Sequence, residues 1–288
     1  MYPDSIQAQH YQVYFNDEGF DFLNRFVAEQ RPSKIFLLAD KHTNECCTPI
    51  VLSLLATDIP LEIIEIEAGE THKHIDTCTQ VWYALSELGA DRKSLLINIG
   101  GGVVTDLGGF VASTYMRGIP FINIPTSLLA MVDASVGGKT GVDLGALKNL
   151  VGVINNPQGV VIYPDFLATL PTEELRSGMA EMFKHGLISD EAYWHKMCNL
   201  SELTEAHLGS LIYESVVIKN KVVTQDPTEK GLRKTLNYGH TLGHAIESYC
   251  LQNPNRERLL HGEAIAIGMV LATYLSVKEL GFSMDKCD

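Results

Sequence analysis

The chain has 288 residues, 45% hydrophobic and 20% charged. That composition excludes a disordered chain and supplies a core for one large domain or two ordinary ones. Lys plus Arg number 22 against 35 Asp plus Glu, a net charge of −13, opposite in sign to what a nonspecific nucleic-acid binder needs. An anionic ligand would have to be held by a local cluster of cations against the overall field. The N-terminal residues lack the basic stretch and apolar run of a secretory signal. The apolar stretch 264–277 is too short and too broken to span a bilayer. Six cysteines (46, 47, 78, 198, 250 and 287) form no CxxC pair and fit a reducing cytosol better than a disulfide scaffold. The expectation is a cytoplasmic protein without nucleic-acid or membrane partners.

In chain order, short apolar runs at 35–39, 61–66, 95–99, 121–124 and 160–163 read as strands, and the continuous ones suit a sheet covered on both faces. Helical spacing fills 45–56, 75–89 and 103–115 between them. Strand–helix–strand repeats of this length predict a mainly parallel, doubly wound sheet. After Pro164 the strand signal stops. Pro171, Glu173 and Glu174 mark a helix start, and 177–188, 202–223, 238–250 and 262–280 all fit helix spacing. The fold class expected is α/β with a Rossmann-like parallel-sheet domain over residues 1–168, followed by an all-helical domain over 169–288.

Four groups of residues carry chemistry. Gly100–Gly101–Gly102 follow the strand at 95–99 and precede a helix. Glycines at a strand mouth let a backbone approach a pyrophosphate, which the helix N-terminus then faces. The run is not GxGxxG, so the generic fingerprint is weak, and a tight turn is the ordinary explanation. In the second group, Gly137–Gly138–Lys139–Thr140 looks like the end of a P-loop, but the first glycine a P-loop requires would fall at Asp133. What remains is a glycine-flexed segment presenting Lys139, with Lys148 and Asn149 soon after. Third, Glu181 and Lys184 share a helix face and by themselves read as an ordinary ion pair. Fourth, His240 and His244 share a face in GHTLGHAIE, and His261 opens the next helix. Such spacing with a further carboxylate or histidine is metal-like, and two histidines plus one carboxylate would leave the open position that a catalytic zinc uses. Glu181 is the best carboxylate available. Lys219, Lys221 and Arg233 lie just upstream, as salt-bridge partners or as an anion pocket.

The runs GGGVVTDLGGF, YMRG, PTSLLAMVDASVGGKTGV, SGMAEMFKHG, GLRKTLNYGHTLGHAIE and LHGEAIAIGM, in this order, closely resemble the 3-dehydroquinate synthase family. The resemblance extends from Asp40 to about Gly281. It implies an NAD-binding α/β domain, a helical metal-binding domain, and an active site between them. The implied reaction converts 3-deoxy-D-arabino-heptulosonate 7-phosphate to 3-dehydroquinate and phosphate, in the shikimate route to aromatic amino acids. It runs through transient oxidation by NAD, phosphate elimination, re-reduction and intramolecular aldol closure. By position, the resemblance makes Glu181, His240 and His261 the ligands of zinc or cobalt. It removes His244 from the ligand set and puts it near the substrate phosphate. Asp40, Glu70, Lys73, Gly101, Gly102, Asp106, Thr126, Ser127, Asp133, Lys148 and Thr169 match NAD-contacting positions. Lys139, Asn149, Lys184, Lys219, Arg233 and Asn237 match the substrate pocket, with Lys139 also beside the cofactor. Arg117 is similar to an arginine that reaches the partner's site, which implies a homodimer. Family members usually continue through further helices, one carrying another basic residue toward the phosphate, so a C-terminal part is expected to be missing here.

The nearest alternatives are other sugar-phosphate cyclases, such as 2-deoxy-scyllo-inosose synthase or a valiolone-type cyclase, whose substrates lack the carboxylate. A metal-dependent alcohol or glycerol dehydrogenase would instead release NADH. A noncatalytic NAD or anion sensor would not need an intact metal triad.

Overall fold

The computed structural model describes residues 2–145, 147–199, 205–253, 255–256 and 259–287. Contacts divide the chain into two units, Met1–Leu170 and Pro171–Asp288.

The first unit begins with two short strands, β1 (Ser5–Gln7) and β2 (Gln12–Phe15), and helix α1 (Asp17–Gln30). Then come β3 (Ile35–Asp40), α2 (Lys41–Cys46), α3 (Thr48–Leu54), β4 (Leu61–Ile66), α4 (Ile75–Glu87), β5 (Leu95–Gly100), α5 (Gly102–Thr114) and β6 (Phe121–Pro125). A hairpin of β7 (Lys139–Leu144) and β8 (Leu147–Ile154) precedes β9 (Val160–Ile162). The seven-stranded sheet runs β1-β2-β9-β6-β5-β3-β4, and only the β1–β2 pairing is antiparallel. Its central strands are buried along their whole length because helices cover both faces. One polar rung interrupts them. Asn98 of β5 lies in register with Asn123 of β6, and its Nδ2 donates to Asn123 Oδ1 at 2.8 Å.

The mainly parallel α/β sheet matches expectation, with local differences that have physical reasons. The single helix expected over 45–56 is two helices. The Asp40 carboxylate accepts from Thr43 N at 2.9 Å and starts α2 at Lys41. Pro49, with no N–H to donate, sits in the first turn of α3 and ends any continuous helix before it. The segment read as a glycine-flexed loop around Lys139 is strand β7, paired antiparallel with β8. Its mixed polarity hid the hairpin, which packs on α5. Gly109 permits that approach, since a Cβ there would stand 2.4 Å from Thr140 Cγ2. Part of the glycine richness after β5 therefore serves packing.

The second unit contains helices α6 (Thr172–Ser189), α7 (Glu191–Cys198), α8 (Glu205–Gln225), α9 (His240–Gln252) and α10 (His261–Leu280), with a 3-10 segment, Leu232–Asn237, before α9. It holds no strand among the described residues. Residues 202–204 of the helix expected at 202–223 lie outside the described residues. Helix α7 had not been anticipated; Asp190 caps it by accepting from Tyr193 N at 2.9 Å. The buried face of α6 is pinned to α8 where His185 Nδ1 meets Ser215 Oγ at 2.7 Å. Among the described residues no helix is long and apolar enough to cross a membrane.

Candidate metal and nucleotide sites

In the second unit, three helices bring the sequence-predicted donors together. Glu181 is fully buried on α6, His240 is the first residue of α9, and His261 is the first residue of α10. Glu181 Oε1 lies 3.7 Å from His240 Nε2 and 3.8 Å from His261 Nε2. Two ligands of one zinc stand roughly 3.3 Å apart for tetrahedral bonds of about 2.0–2.1 Å, so each histidine nitrogen stands within about half an ångström of the spacing from Glu181 Oε1 that a shared ion would set. The other carboxylate oxygen, Oε2, pairs with the buried Lys184 ammonium. Local sequence sets these positions. Gly262 lets the start of α10 press against α6, its N–H donating to Ser177 Oγ at 2.9 Å. A Cβ on Gly262 would stand 2.0 Å from the Ser177 carbonyl oxygen, so a larger residue would move His261 away from Glu181.

His244 stays with the cluster. Its ring centroid lies 5.2 Å from that of His240 and 5.5 Å from that of His261, and the three imidazoles offer nitrogens within 4.8 Å of one another. Geometry alone thus groups His244 with the other histidines, as the helix-face spacing does. Its exclusion from the ligand set comes from the family resemblance.

Among its described residues the unit buries three cations, Lys184 at 1%, Arg233 at 3% and Lys219 at 5% exposure, against two acids, Glu181 and Glu247. That local excess is what an anion needs in a chain of net charge −13. Lys221, two residues beyond Lys219, is exposed instead, because residues two apart on a helix face nearly opposite ways. Arg233 donates from one guanidinium nitrogen to the Pro227 carbonyl at 2.8 Å. Asn237 Nδ2 donates to Glu229 Oε1 at 2.5 Å. Sequence reading missed Glu229; no spacing marks it, and only the turn folded by Asp226 brings it to Asn237. That carboxylate accepts from the N–H groups of Gly231 at 2.7 Å, Lys230 at 2.9 Å and Arg233 at 3.0 Å.

In the first unit, the strand order reverses between β3 and β5. A doubly wound sheet binds ligands beyond the carboxyl ends of the strands at such a point. Asp40 ends β3, and Gly100 ends β5, with Gly101 and Gly102 opening α5. Thr126, at the end of β6, donates its N–H to the Gly100 carbonyl at 3.0 Å. Ser127 Oγ would lie 3.2 Å from a Cβ on Gly101. The N-terminus of α5 has no side-chain cap, so its free N–H groups and positive dipole end suit a pyrophosphate. Asp133 follows in a π-helical turn, and Thr169 lies in the 3-10 turn after β9, its hydroxyl donating to Phe166 O at 3.3 Å.

An ion-pair network borders this crevice. The buried Lys73 donates to Asp106 Oδ2 at 2.6 Å and to Asn149 Oδ1 at 2.7 Å, and Lys148 pairs with Glu70 at 2.8 Å. Burial is the largest single influence on the Lys73 ammonium and opposes its charge. The combined pull of Asp106, Glu70 and Asp143 outweighs it and holds the pKa above the ordinary lysine value. Asn149 sits at φ 51° with its N–H on Asp143 Oδ1 at 2.7 Å. Lys139 is exposed at the start of β7. Arg117 is exposed after α5. Because α5 runs back from the carboxyl end of β5 toward the start of β6, Arg117 lies toward the amino ends of the strands, away from the glycine turn.

Solved structures with this architecture include 2-deoxy-scyllo-inosose synthase complexed with carbaglucose-6-phosphate, NAD+ and Co2+, at TM-score 0.88 and 25% identity, matched over 98% of this chain and 79% of that one. A second is 2-epi-5-epi-valiolone synthase from Streptomyces hygroscopicus subsp. jinggangensis with NAD+ and Zn2+ bound, at TM-score 0.81 and 27% identity over 100% of this chain and 80% of that one. Fold and clustered donors together define a protein of the sugar-phosphate cyclase type. Family models for the N-terminal and C-terminal parts of 3-dehydroquinate synthase match residues 63–177 and 178–287. The 3-dehydroquinate synthase of Parabacteroides distasonis is 46% identical over 92% of this chain and 74% of its own length. The chain belongs to the 3-dehydroquinate synthase family.

Proposed function

We propose that the protein acts as an NAD- and divalent-metal-dependent phosphorus–oxygen lyase. It converts 3-deoxy-D-arabino-heptulosonate 7-phosphate to 3-dehydroquinate and phosphate, the shikimate-pathway reaction of its family. The observation that carries the reading is the convergence of Glu181 Oε1 with the Nε2 atoms of His240 and His261 at 3.7 and 3.8 Å. One carboxylate and two imidazoles form a donor set that zinc or cobalt accepts with an open position. The uncapped glycine start of α5 at the sheet's switch point fits a dinucleotide. When bound, NAD supplies a reversible hydride acceptor, and the ion supplies a Lewis acid for neighbouring hydroxyls.

The protein's own residues do the rest by position and charge. Gly101, Gly102, Thr126 and Ser127 offer backbone and hydroxyl donors to the pyrophosphate. Asp40, Glu70, Lys73, Asp106, Asp133, Lys148 and Thr169 complete the cofactor contacts, with Lys73 bracing Asp106 against Asn149. Within the helical unit, Lys184, Lys219 and Arg233 hold the carboxylate and phosphate of the substrate, and Asn237 its hydroxyls. Phosphate departure leaves charge on oxygen, which buried cations and a nearby His244 stabilise. The Glu229 carboxylate fixes the Asn237 amide so that its oxygen faces away from Glu229.

The protein is further inferred to be a cytoplasmic homodimer in which Arg117 reaches the partner's site. Its position toward the amino ends of the strands, away from its own glycine turn, fits a role outside that crevice. Its six free cysteines fit a reducing compartment.

The test is phosphate release from the heptulosonate phosphate by the purified protein. Release should need NAD in catalytic amount only and should stop on chelation. Stoichiometric accumulation of NADH would assign a dehydrogenase instead. Turnover of a hexose phosphate without a carboxylate, in preference to the acid, would assign another cyclase.

A further inference from the structure

We infer that Glu247 is a positioning residue that selects the metal-binding tautomer of His261, a role that rests on the reading of Glu181, His240 and His261 as ligands. An imidazole binds a metal through one nitrogen while the other donates to an acceptor, and that acceptor fixes both tautomer and ring orientation. Both candidate ligand histidines have such an arrangement. His240 turns Nδ1 toward the Tyr238 carbonyl at 3.2 Å and Nε2 toward Glu181. His261 turns Nδ1 toward Glu247 Oε2 at 3.4 Å and Nε2 toward Glu181. With Nδ1–H donating in each case, each Nε2 would be left as the ring nitrogen nearer Glu181 Oε1, at 3.7 and 3.8 Å.

The two supports are not equivalent. The acceptor for His240 is a backbone carbonyl two residues away, which any side chain would preserve. The acceptor for His261 is a side chain 14 residues away on another helix. Glu247 is 7% exposed, and a carboxylate at that depth costs free energy unless it is paired or hydrogen-bonded. Its place follows from helix geometry. Positions 240, 244 and 247 are i, i+4 and i+7 on α9 and therefore share one face. That face meets the first turn of α10, so α9 supplies one ligand histidine, the neighbouring His244, and the carboxylate that orients the other ligand.

The experiment uses the metal-free chain in three forms: wild type, Glu247→Met, which keeps bulk without an acceptor, and Glu247→Gln, which keeps a neutral acceptor. Zinc affinity is measured by competition with a chelator, and the His261 tautomer by nitrogen-15 NMR of histidine-labelled protein. Losing an outer partner of this kind lowers metal affinity about 10–100-fold. Glu247→Met should fall in that range and lose the Nδ1–H tautomer of His261. Glu247→Gln should keep the tautomer and lose less affinity. The inference is overturned if Nδ1 of wild-type His261 carries no proton, a result that needs no folded variant. It is overturned equally if Glu247→Met binds zinc as wild type does, or if Glu247→Gln loses as much as Glu247→Met. Glu181→Ala separates the two levels. If it binds zinc as tightly as wild type, the ligand assignment fails, while the tautomer of the metal-free protein still reports on Glu247.

Discussion

The two units solve the problem of holding a ligand in different materials. The sheet unit uses backbone: the glycine turn, the uncapped start of α5 and the strand ends at the switch point. The helical unit uses individual side chains drawn from three helices, the buried Glu181 and the part-buried His240 and His261, each with a partner. A backbone site follows from topology and tolerates many side-chain changes. A side-chain site depends on single residues and on the packing that aims them. Substitutions in the two units should therefore fail in different ways.

The largest effects are expected at the donors. Glu181→Ala removes a proposed ligand and deprives the buried Lys184 of that carboxylate. Breaking one side of a buried pair costs roughly 3–5 kcal/mol, so metal binding and stability should fall together. His261→Ala should abolish tight metal binding with a smaller loss of stability. Activity should drop on the order of a thousandfold, since a Lewis acid contributes several kcal/mol to the transition state. His244→Ala should keep the metal and slow turnover. Zinc titration beside thermal unfolding reads all three, and equal metal loss in His244→Ala and His261→Ala would return His244 to the ligand set.

A middle-sized effect sets glycine against glycine. Gly262→Ala forces a methyl to 2.0 Å from the Ser177 carbonyl oxygen. Overpacking of this kind costs about 1–3 kcal/mol, and here it also moves His261. Gly101→Ala meets only Ser127 Oγ at 3.2 Å. It should leave the melting temperature nearly unchanged while weakening NAD binding, as measured by fluorescence titration of NADH. If Gly101→Ala unfolded the protein while Gly262→Ala did not, the contrast between the units would be reversed.

The same contrast explains what the sequence revealed. The central strands were legible because continuous apolar runs such as Leu95–Gly100 have few other uses. The hairpin β7–β8 was not, because β7 buries three consecutive residues, 140–142, instead of alternating, and β8 is mostly exposed. The metal donors were legible as residue types, and HxxxH on one helix face pointed to them. Spacing could not choose between His244 and Glu181 as third donor, because that choice depends on how α6 meets α9 and α10. Glu247 carries a signal, i+7 from His240 on the same helix face. Glu229 had none, since its position depends on a turn organised by the Asp226 side chain.

That turn yields the smallest effect. The Asp226 carboxylate is held below the usual value of 3.8 by the N–H groups of Gly231 and Lys230, with Arg233 N–H adding to them. A carboxyl whose folded pKa is depressed contributes its stabilisation above the unfolded pKa and loses it as pH falls through the folded one. From pH 7 down to about 4, near the reference carboxylate value, the amide resonances of Lys230, Gly231 and Arg233 should stay fixed. Below that they should move together with one apparent pKa under 3.8. Asp226→Asn should remove this shared titration and loosen the segment carrying Glu229, Arg233 and Asn237, raising KM for the substrate more than it lowers kcat. A common midpoint above 4, or a titration that survives in Asp226→Asn, would show that another group organises the turn. The proposed substrate pocket would then owe its shape to helix packing alone.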